Sequence, residues 1–193
     1  DIELPAIVSV TGIAKGDMNN IQTNAKLSGS YGNAAVNGFI RNFKNPETAV
    51  YDLSFSANNF QAGKLIRQDT VIGKLSFSGK FKGKGFNYKT MNAVAEGKIN
   101  GVDFKKYDYK NIFINAHFQE GLIKSNGSID DENVKMNYTI RANVQGEYPA
   151  AELSMRVDTI QLKELNLYAD TLNASFTAYL NAPNLNPDNI DFY

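Results

Sequence analysis

The sequence predicts an all-β protein built on a long, mostly antiparallel sheet. Apolar and polar residues alternate through most of the 193-residue chain, and residues typical of turns separate the alternating stretches. Successive side chains of a strand point to opposite faces, so this alternation is typical of a sheet with one apolar and one polar face. The short connections between the stretches favour antiparallel neighbours.

The clearest predicted strand covers residues 71–82. Val71, Leu75, Phe77 and Phe81 share one phase of its alternation, and lysines, serines and glycines occupy most of the remaining positions. The same pattern predicts six more strands. Their apolar phases consist of Ala49, Tyr51, Leu53 and Phe55; Met91, Ala93, Ala95 and Ile99; Ile112, Ile114, Ala116 and Phe118; Val134, Met136, Tyr138, Ile140, Ala142 and Val144; Ala151, Leu153, Met155 and Val157; and Leu172, Ala174, Phe176, Ala178 and Leu180.

Turn-forming residues stand between the predicted strands, for example at residues 16–20, 100–101 and 130–133. Two stretches, residues 58–67 and 159–167, do not alternate. Each of these two is expected to form one or two helical turns or an irregular crossover.

The chain is predicted to be a single domain over residues 1–193, because no low-complexity linker interrupts it. A strand, a turn and another strand recur without a fixed period, which is typical of a structure that grows by adding strands. The last residues, 191–193, have the pattern of a strand beginning. We therefore expect the chain to be a segment of a longer repetitive protein.

The apolar face of such a sheet needs a cover. A second sheet can supply it, as in a β-sandwich, or the sheet can curl so that its two halves face each other around a groove. Gly73, Gly79 and Gly97 fall in the apolar phase, where a sheet can bend sharply, and they favour the curled, taco-like form. The residues predicted to line its apolar interior are Tyr51, Leu53, Phe55, Leu75, Phe77, Phe81, Met91, Ile112, Ile114, Phe118, Met136, Tyr138, Ile140, Leu153, Met155, Leu172 and Phe176.

The composition favours a non-enzymatic protein without a metal or cofactor. Twenty basic residues balance twenty acidic ones, so no global field attracts nucleic acid. Cysteine is absent, which excludes disulfides and thiol chemistry, and the single histidine, His117, falls on a polar phase. The acidic run at residues 130–132 lacks the spaced oxygen ligands of a calcium loop and is interpreted as part of a hairpin turn.

A basic and aromatic stretch over residues 80–89 has two interpretations. Its four lysines, interleaved with Phe81, Phe86 and Tyr88, have the composition of a patch for nucleic acid or lipid headgroups. Phe81, however, belongs to the apolar phase, whereas Lys80 and Lys82 belong to the other. The favoured interpretation is therefore a solvated outer face that resists aggregation.

Four stretches of strand and turn also point to a family. They are the Gly-, Lys- and Phe-rich run at residues 73–86; Tyr107-x-Tyr109-Lys110-Asn111-Ile112-x-Ile114; residues 129–136, with Asp130-Asp131-Glu132-Asn133; and Glu152-Leu153-Ser154-Met155-Arg156-Val157-Asp158 with the leucine-rich segment 162–167. In this order they resemble the translocation and assembly module subunit TamB family of Bacteroidetes-type bacteria, which belongs with the AsmA-like proteins. The motifs contain no catalytic residues.

The resemblance implies an internal, periplasmic segment of a large cell-envelope protein that an N-terminal helix anchors in the inner membrane. It implies a curled sheet with a hydrophobic groove, similar to that of the bridge-like lipid transfer proteins. The implied cargo is phospholipid, held by its acyl chains, on its way between the inner and outer membranes. An outer-membrane β-barrel assembly protein is the implied protein partner.

Three functions are therefore considered for this chain. The first is a lipid conduit, in which the apolar faces accept acyl chains without any catalytic residue. The second is a scaffold for the assembly or secretion of outer-membrane β-barrel proteins, in which exposed sheet edges template strands of a client. The third is a closed β-sandwich that binds a glycan or an adhesion partner through its loops.

Overall fold

The computed structural model describes residues 6–186 and 189–190 and confirms the all-β class. Eleven strands form one antiparallel sheet in which each strand pairs with its neighbours in the chain. The first and last strands do not pair with each other, so the sheet is not closed into a barrel. The strands are β1 (Val8–Gly16), β2 (Asn20–Gly29), β3 (Gly32–Arg41), β4 (Val50–Gln61), β5 (Ile72–Lys84), β6 (Asn92–Phe104), β7 (Tyr107–Gln119), β8 (Leu122–Asp130), β9 (Val134–Asn143), β10 (Ala150–Gln161) and β11 (Asn173–Ala182).

Three short elements complete the described part of the chain. Helix α1 (Ala62–Leu65) connects β4 to β5, and β12 (Leu185–Asn186) pairs with β13 (Asn189–Ile190) in a separate ladder. The strand predicted to begin at residues 191–193 lies outside the described residues.

The register aligns the apolar phases of neighbouring strands across the whole sheet. Phe81 on β5, for example, stands opposite Leu53 on one side and Ala95 on the other. Tyr138 on β9 stands opposite Met155 on β10. One face of the sheet, here called the apolar face, therefore carries apolar side chains from β1 to β11, and the opposite face is called the polar face.

The two stretches without alternation correspond to β-bulges and connections. Residues 58–67 contain the end of β4, where the register shifts between Ala57 and Phe60, and the single helical turn of α1, as predicted. Residues 159–167 contain the end of β10, after another register shift, and a series of turns. An extra residue in one strand interrupts the period of two, which is why the sequence pattern stops at these places.

A further bulge corrects one assignment in the clearest predicted strand. The register of β5 shifts between Ile72 and Leu75, which pair with Phe104 and Val102 of β6. These two partners are two positions apart in the chain and therefore share the apolar face. Ile72 therefore occupies the apolar phase in place of Val71, which precedes β5 and is exposed.

The best-covered part of the apolar face lies at the end of the sheet that carries the β5–β6 connection. Tyr51 is fully buried there, and its hydroxyl donates a hydrogen bond of 2.9 Å to the Gly85 carbonyl. Its ring stacks between Phe81 and Phe86, with centroid distances of 4.7 and 4.9 Å. Met91 and Ala93 are buried in the same cluster. Residues 85–91 thus fold over the apolar face and cover it at this end of the sheet.

At the opposite end of the sheet, the β8–β9 turn is organised by one buried carboxylate. Asp131 is only 4% exposed and accepts hydrogen bonds from the Tyr107 hydroxyl and from the backbone N–H groups of Lys110 and Asn133. The Asn133 side-chain amide donates to the Tyr107 hydroxyl at 3.1 Å. Both carboxylate oxygens of Asp131 therefore accept hydrogen bonds from within the protein. The interpretation of this acidic run as part of a hairpin turn is confirmed.

Tyr107, which is hydrogen-bonded to Asp131 and Asn133, should make the protein less stable at high pH. Burial, followed by the hydrogen bond to Asp131, raises the pKa of Tyr107 to about 12 from its usual 10.0. The unfolded chain releases this proton near pH 10 while the folded chain retains it, so the free energy of unfolding should fall as the pH rises from about 10 to about 12. Urea unfolding across this range checks the expectation. Tyr107→Phe should show a shallower fall than the wild type and than Tyr88→Phe, a control at an exposed position; equal slopes would contradict it.

Candidate functional site

The register brings most of the predicted groove residues together on the apolar face, in strands β4 to β11. Three of them have a different setting. Tyr51 and Met91 belong to the buried cluster at one end and are covered by protein, so they do not form an accessible lining. Leu172 precedes β11 and is 46% exposed. The accessible apolar surface therefore lies along the middle of the sheet.

The middle of the apolar face has one notch, formed by a glycine. A side chain at Gly79 would meet the Phe55 ring at 2.7 Å, and one at Gly127 would meet the Tyr138 ring at 2.6 Å. At Gly97, by contrast, no atom lies within 4 Å of the position that a side chain would occupy. Gly97 therefore marks an open depression on a face otherwise covered by aromatic and aliphatic groups.

The apolar face of the described part is not sealed by a second layer. In a β-sandwich, the inward side chains of central strands are buried. Here Phe77, Met136 and Met155 are only half-buried, and Ile114 is 38% exposed. Tyr51 is completely buried where residues 85–91 cover the sheet, and Leu165, also completely buried, belongs to the β10–β11 connection.

The polar face contains a cavity of about 830 Å³ that crosses β2 to β9. Two rows of polar-face residues line it, one across the strands from Asn24 to Asn126 and one from Ala35 to Asn137. A third row between them, from Val36 to Gly127, belongs to the apolar phase. Of the predicted groove residues, Phe55 and Ile114 contribute to this lining. The lining of this cavity is thus mainly polar.

Sequence reasoning did not identify this cavity. A signal for it was present in the triplet Ile112, Phe113 and Ile114, where an aromatic residue falls in the polar phase. Phe113 is 43% exposed and lies beside Lys98, whose Nζ atom is 5.3 Å from the ring centroid. A large apolar ring on a polar, solvated face is unusual, and it marks a position where the side chain can contact a ligand or a partner.

The lysine-rich stretch separates into two parts. Lys80, Lys82 and Lys84 are exposed, and Lys82 Nζ lies 3.5 Å from an Asp52 carboxylate oxygen. Lys89 instead ties loops together, since its Nζ donates to the Gly146 carbonyl at 3.4 Å and its own carbonyl accepts a bond from Gln145. The solvated-face interpretation therefore fits the lysines of β5, whereas Lys89 has a structural role.

Both edges of the sheet expose apolar side chains. Every residue of β1 is exposed, including Val10 at 66% and Ile13 at 62%. On β11, Phe176 is 44% exposed and Tyr179 61%. Each edge strand pairs on one side only within the sheet, so its other side presents backbone groups that a further strand could bind.

Within residues 6–186 and 189–190, no three metal-ligating side chains are grouped together, and His117 is exposed on the polar face. None of the described helices has the length and apolar character that a membrane crossing requires. Comparison of the chain with protein-family models, with curated proteins and with solved structures finds no match.

Proposed function

We propose that the chain is a non-enzymatic segment of a cell-envelope protein that binds phospholipid acyl chains on its apolar face. The observation that supports this function is the continuous apolar face, aligned by register over eleven strands and left open along its middle. An exposed apolar surface of this extent marks an interaction site for an apolar partner. In this proposal the protein carries phospholipid between the inner and outer membranes, in the periplasm.

The energetics of acyl-chain binding need no specific polar contact. Burial contributes about 0.8 kcal/mol per methylene group, so ten methylenes give a gross gain of about 8 kcal/mol. A lipid lying across the strands would contact Phe55, Ile114 and Tyr138 around the Gly97 notch. Residues 85–91, which cover Tyr51, would limit it at one end of the face.

The groove itself is part of the proposal. We propose that the sheet curls in a taco-like manner, with the apolar face as its inside. The row of small residues Gly79, Gly97 and Gly127 on that face supports this shape, because side chains are missing where the sheet would bend most closely.

A pair of phenylalanines on opposite faces provides the test. Phe77 lies on the apolar face and Phe113 on the polar face, and both can be replaced by a photoreactive phenylalanine analogue. We expect the protein to co-purify with phospholipid, detected by native mass spectrometry, and to form lipid crosslinks from position 77 and not from position 113. Equal crosslinking from both positions, or crosslinking from position 113 alone, would remove the apolar face as the lipid site.

The second candidate function is the strand-templating scaffold for outer-membrane β-barrel proteins. The exposed edge strand β1 favours it, because an unpaired edge with apolar side chains is suited to β-augmentation. The same photoreactive analogue at Val10 should then crosslink to a synthetic amphipathic strand from an outer-membrane barrel. Absence of that crosslink in a protein that binds lipid would leave the conduit as the function.

A further inference from the structure

We propose that the cavity on the polar face binds an extended, neutral oligosaccharide that lies across the strands. The two outer rows of its lining point away from the apolar face, whereas the row between them, with Phe55, Gly97 and Ile114, also belongs to the proposed lipid site. The two ligands would therefore lie on opposite faces of the same strands. The proposal therefore does not depend on lipid binding.

The chemistry of the lining matches sugar hydroxyl groups. Five asparagines and four serines line the cavity. Amides and hydroxyls both donate and accept hydrogen bonds, as sugar hydroxyls also do, so each contact can form in either direction. The charged residues of the lining are Lys80, Lys98 and Glu96, which leave a single net positive charge and no cationic cluster that would select an anionic ligand.

An exposed aromatic ring supplies the apolar contact that sugar rings need. Phe113 is the exposed aromatic group of this cavity and belongs to the row that runs from Ala35 to Asn137. The C–H groups on one face of a pyranose ring pack against an aromatic face, and Lys98 beside the ring can donate to the sugar oxygens. Phe113 is thus suited to be the stacking platform of the site.

Asn115, which also lines the cavity, has one polar atom without a partner. Its Oδ1 atom is buried and accepts no hydrogen bond, which is costly for an amide oxygen. In the proposed complex, rotation of this side chain turns its amide into the cavity, where a ligand hydroxyl satisfies it. An unsatisfied acceptor in the wall of a polar cavity favours a ligand that donates hydrogen bonds.

The length and shape of the cavity favour a chain of sugar units over a polypeptide. Neighbouring strands lie about 4.8 Å apart, close to the advance per unit in an extended glycan, so successive sugars would meet successive strands. A polypeptide binds a sheet chiefly through free edge groups. Here the backbone groups of the floor are already used in the ladders between β2 and β9.

The experiment is titration of the 193-residue protein with cellohexaose, chitohexaose, xylohexaose and maltohexaose by isothermal calorimetry. We expect at least one hexasaccharide to bind, and Phe113→Ala to weaken that binding about tenfold. Asn115→Ala should also weaken it. Tyr179→Ala, which removes an exposed aromatic ring of the polar face outside the cavity, should leave it unchanged. Circular dichroism verifies that the three variants are folded.

Three results would overturn the proposal. The first is failure of all four sugars to bind at millimolar concentration. The second is binding that neither Phe113→Ala nor Asn115→Ala alters. The third is binding of an unfolded, carboxymethylated polypeptide that Phe113→Ala abolishes while no sugar binds, because the cavity would then be a polypeptide site.

Discussion

Replacing Tyr51 by alanine is expected to cost most of the stability of the protein. The substitution removes a fully buried ring stacked between Phe81 and Phe86 and the hydrogen bond to the Gly85 carbonyl. Truncation of a buried aromatic residue costs about 3–5 kcal/mol, and the lost hydrogen bond adds about 1 kcal/mol. Domains of this size have a total stability of about 5–15 kcal/mol, so Tyr51→Ala should unfold at much lower urea concentration or fail to fold.

Two variants serve as controls for this experiment. Tyr51→Phe keeps both ring contacts and should lose only about 1 kcal/mol, the contribution of the hydroxyl group. Tyr179→Ala removes an aromatic ring that is 61% exposed and should be close to neutral. Urea unfolding followed by circular dichroism measures all three. If Tyr51→Ala unfolds at the same urea concentration as Tyr179→Ala, the cluster of Tyr51, Met91 and Ala93 is not a core.

Replacing Phe77 by aspartate should strongly weaken lipid binding while leaving the sheet folded. Phe77 is half-buried on the open middle of the apolar face, where its ring is 5.9 Å from that of Phe55. A carboxylate there can reach water, so we expect a loss of stability of about 1–3 kcal/mol and no collapse of the fold. The charge would nevertheless oppose the desolvation of an acyl chain over this surface. Fluorescent-phospholipid affinity should fall at least about tenfold.

The neighbouring residue offers a matched control for the charge. Ser78→Asp introduces the same carboxylate one residue away, on the exposed polar face, and should leave lipid binding unchanged. Met136→Asp repeats the substitution at a second half-buried position of the apolar face. Unfolding of both Phe77→Asp and Met136→Asp would indicate a sealed sandwich. Folded variants that still bind lipid would remove the conduit from consideration.

Much of the fold could be predicted from the alternation of apolar and polar residues. It predicted the all-β class and the shared phase of residues such as Leu53, Phe81 and Met155, which the register aligns on one face. This prediction succeeds because the direction of a strand side chain depends on its position in a local period of two. The assignment of Val71 failed where the bulge between Ile72 and Leu75 added a residue to that period.

The candidate sites were less predictable from the local sequence pattern. Tyr51 and Met91 have the same apolar phase as Phe77 and were predicted to line the same groove. The structure buries the first two because residues 85–91 return over the sheet and place Phe86 on Tyr51. A contact between a loop and a strand more than thirty positions earlier in the chain, as between Gly85 and Tyr51, leaves no signal in a period of two.

The sequence by itself determined the secondary-structure class, the two faces of the sheet and, between the bulges, the residues on each face, because strand geometry ties these properties to the order of neighbouring residues. Only the tertiary structure decided which apolar residues are covered, where the bulges lie, and that a cavity crosses the polar face from β2 to β9. The shape of an eleven-stranded sheet is the sum of the twist and bulges of all its strands, and that sum is set by long-range packing.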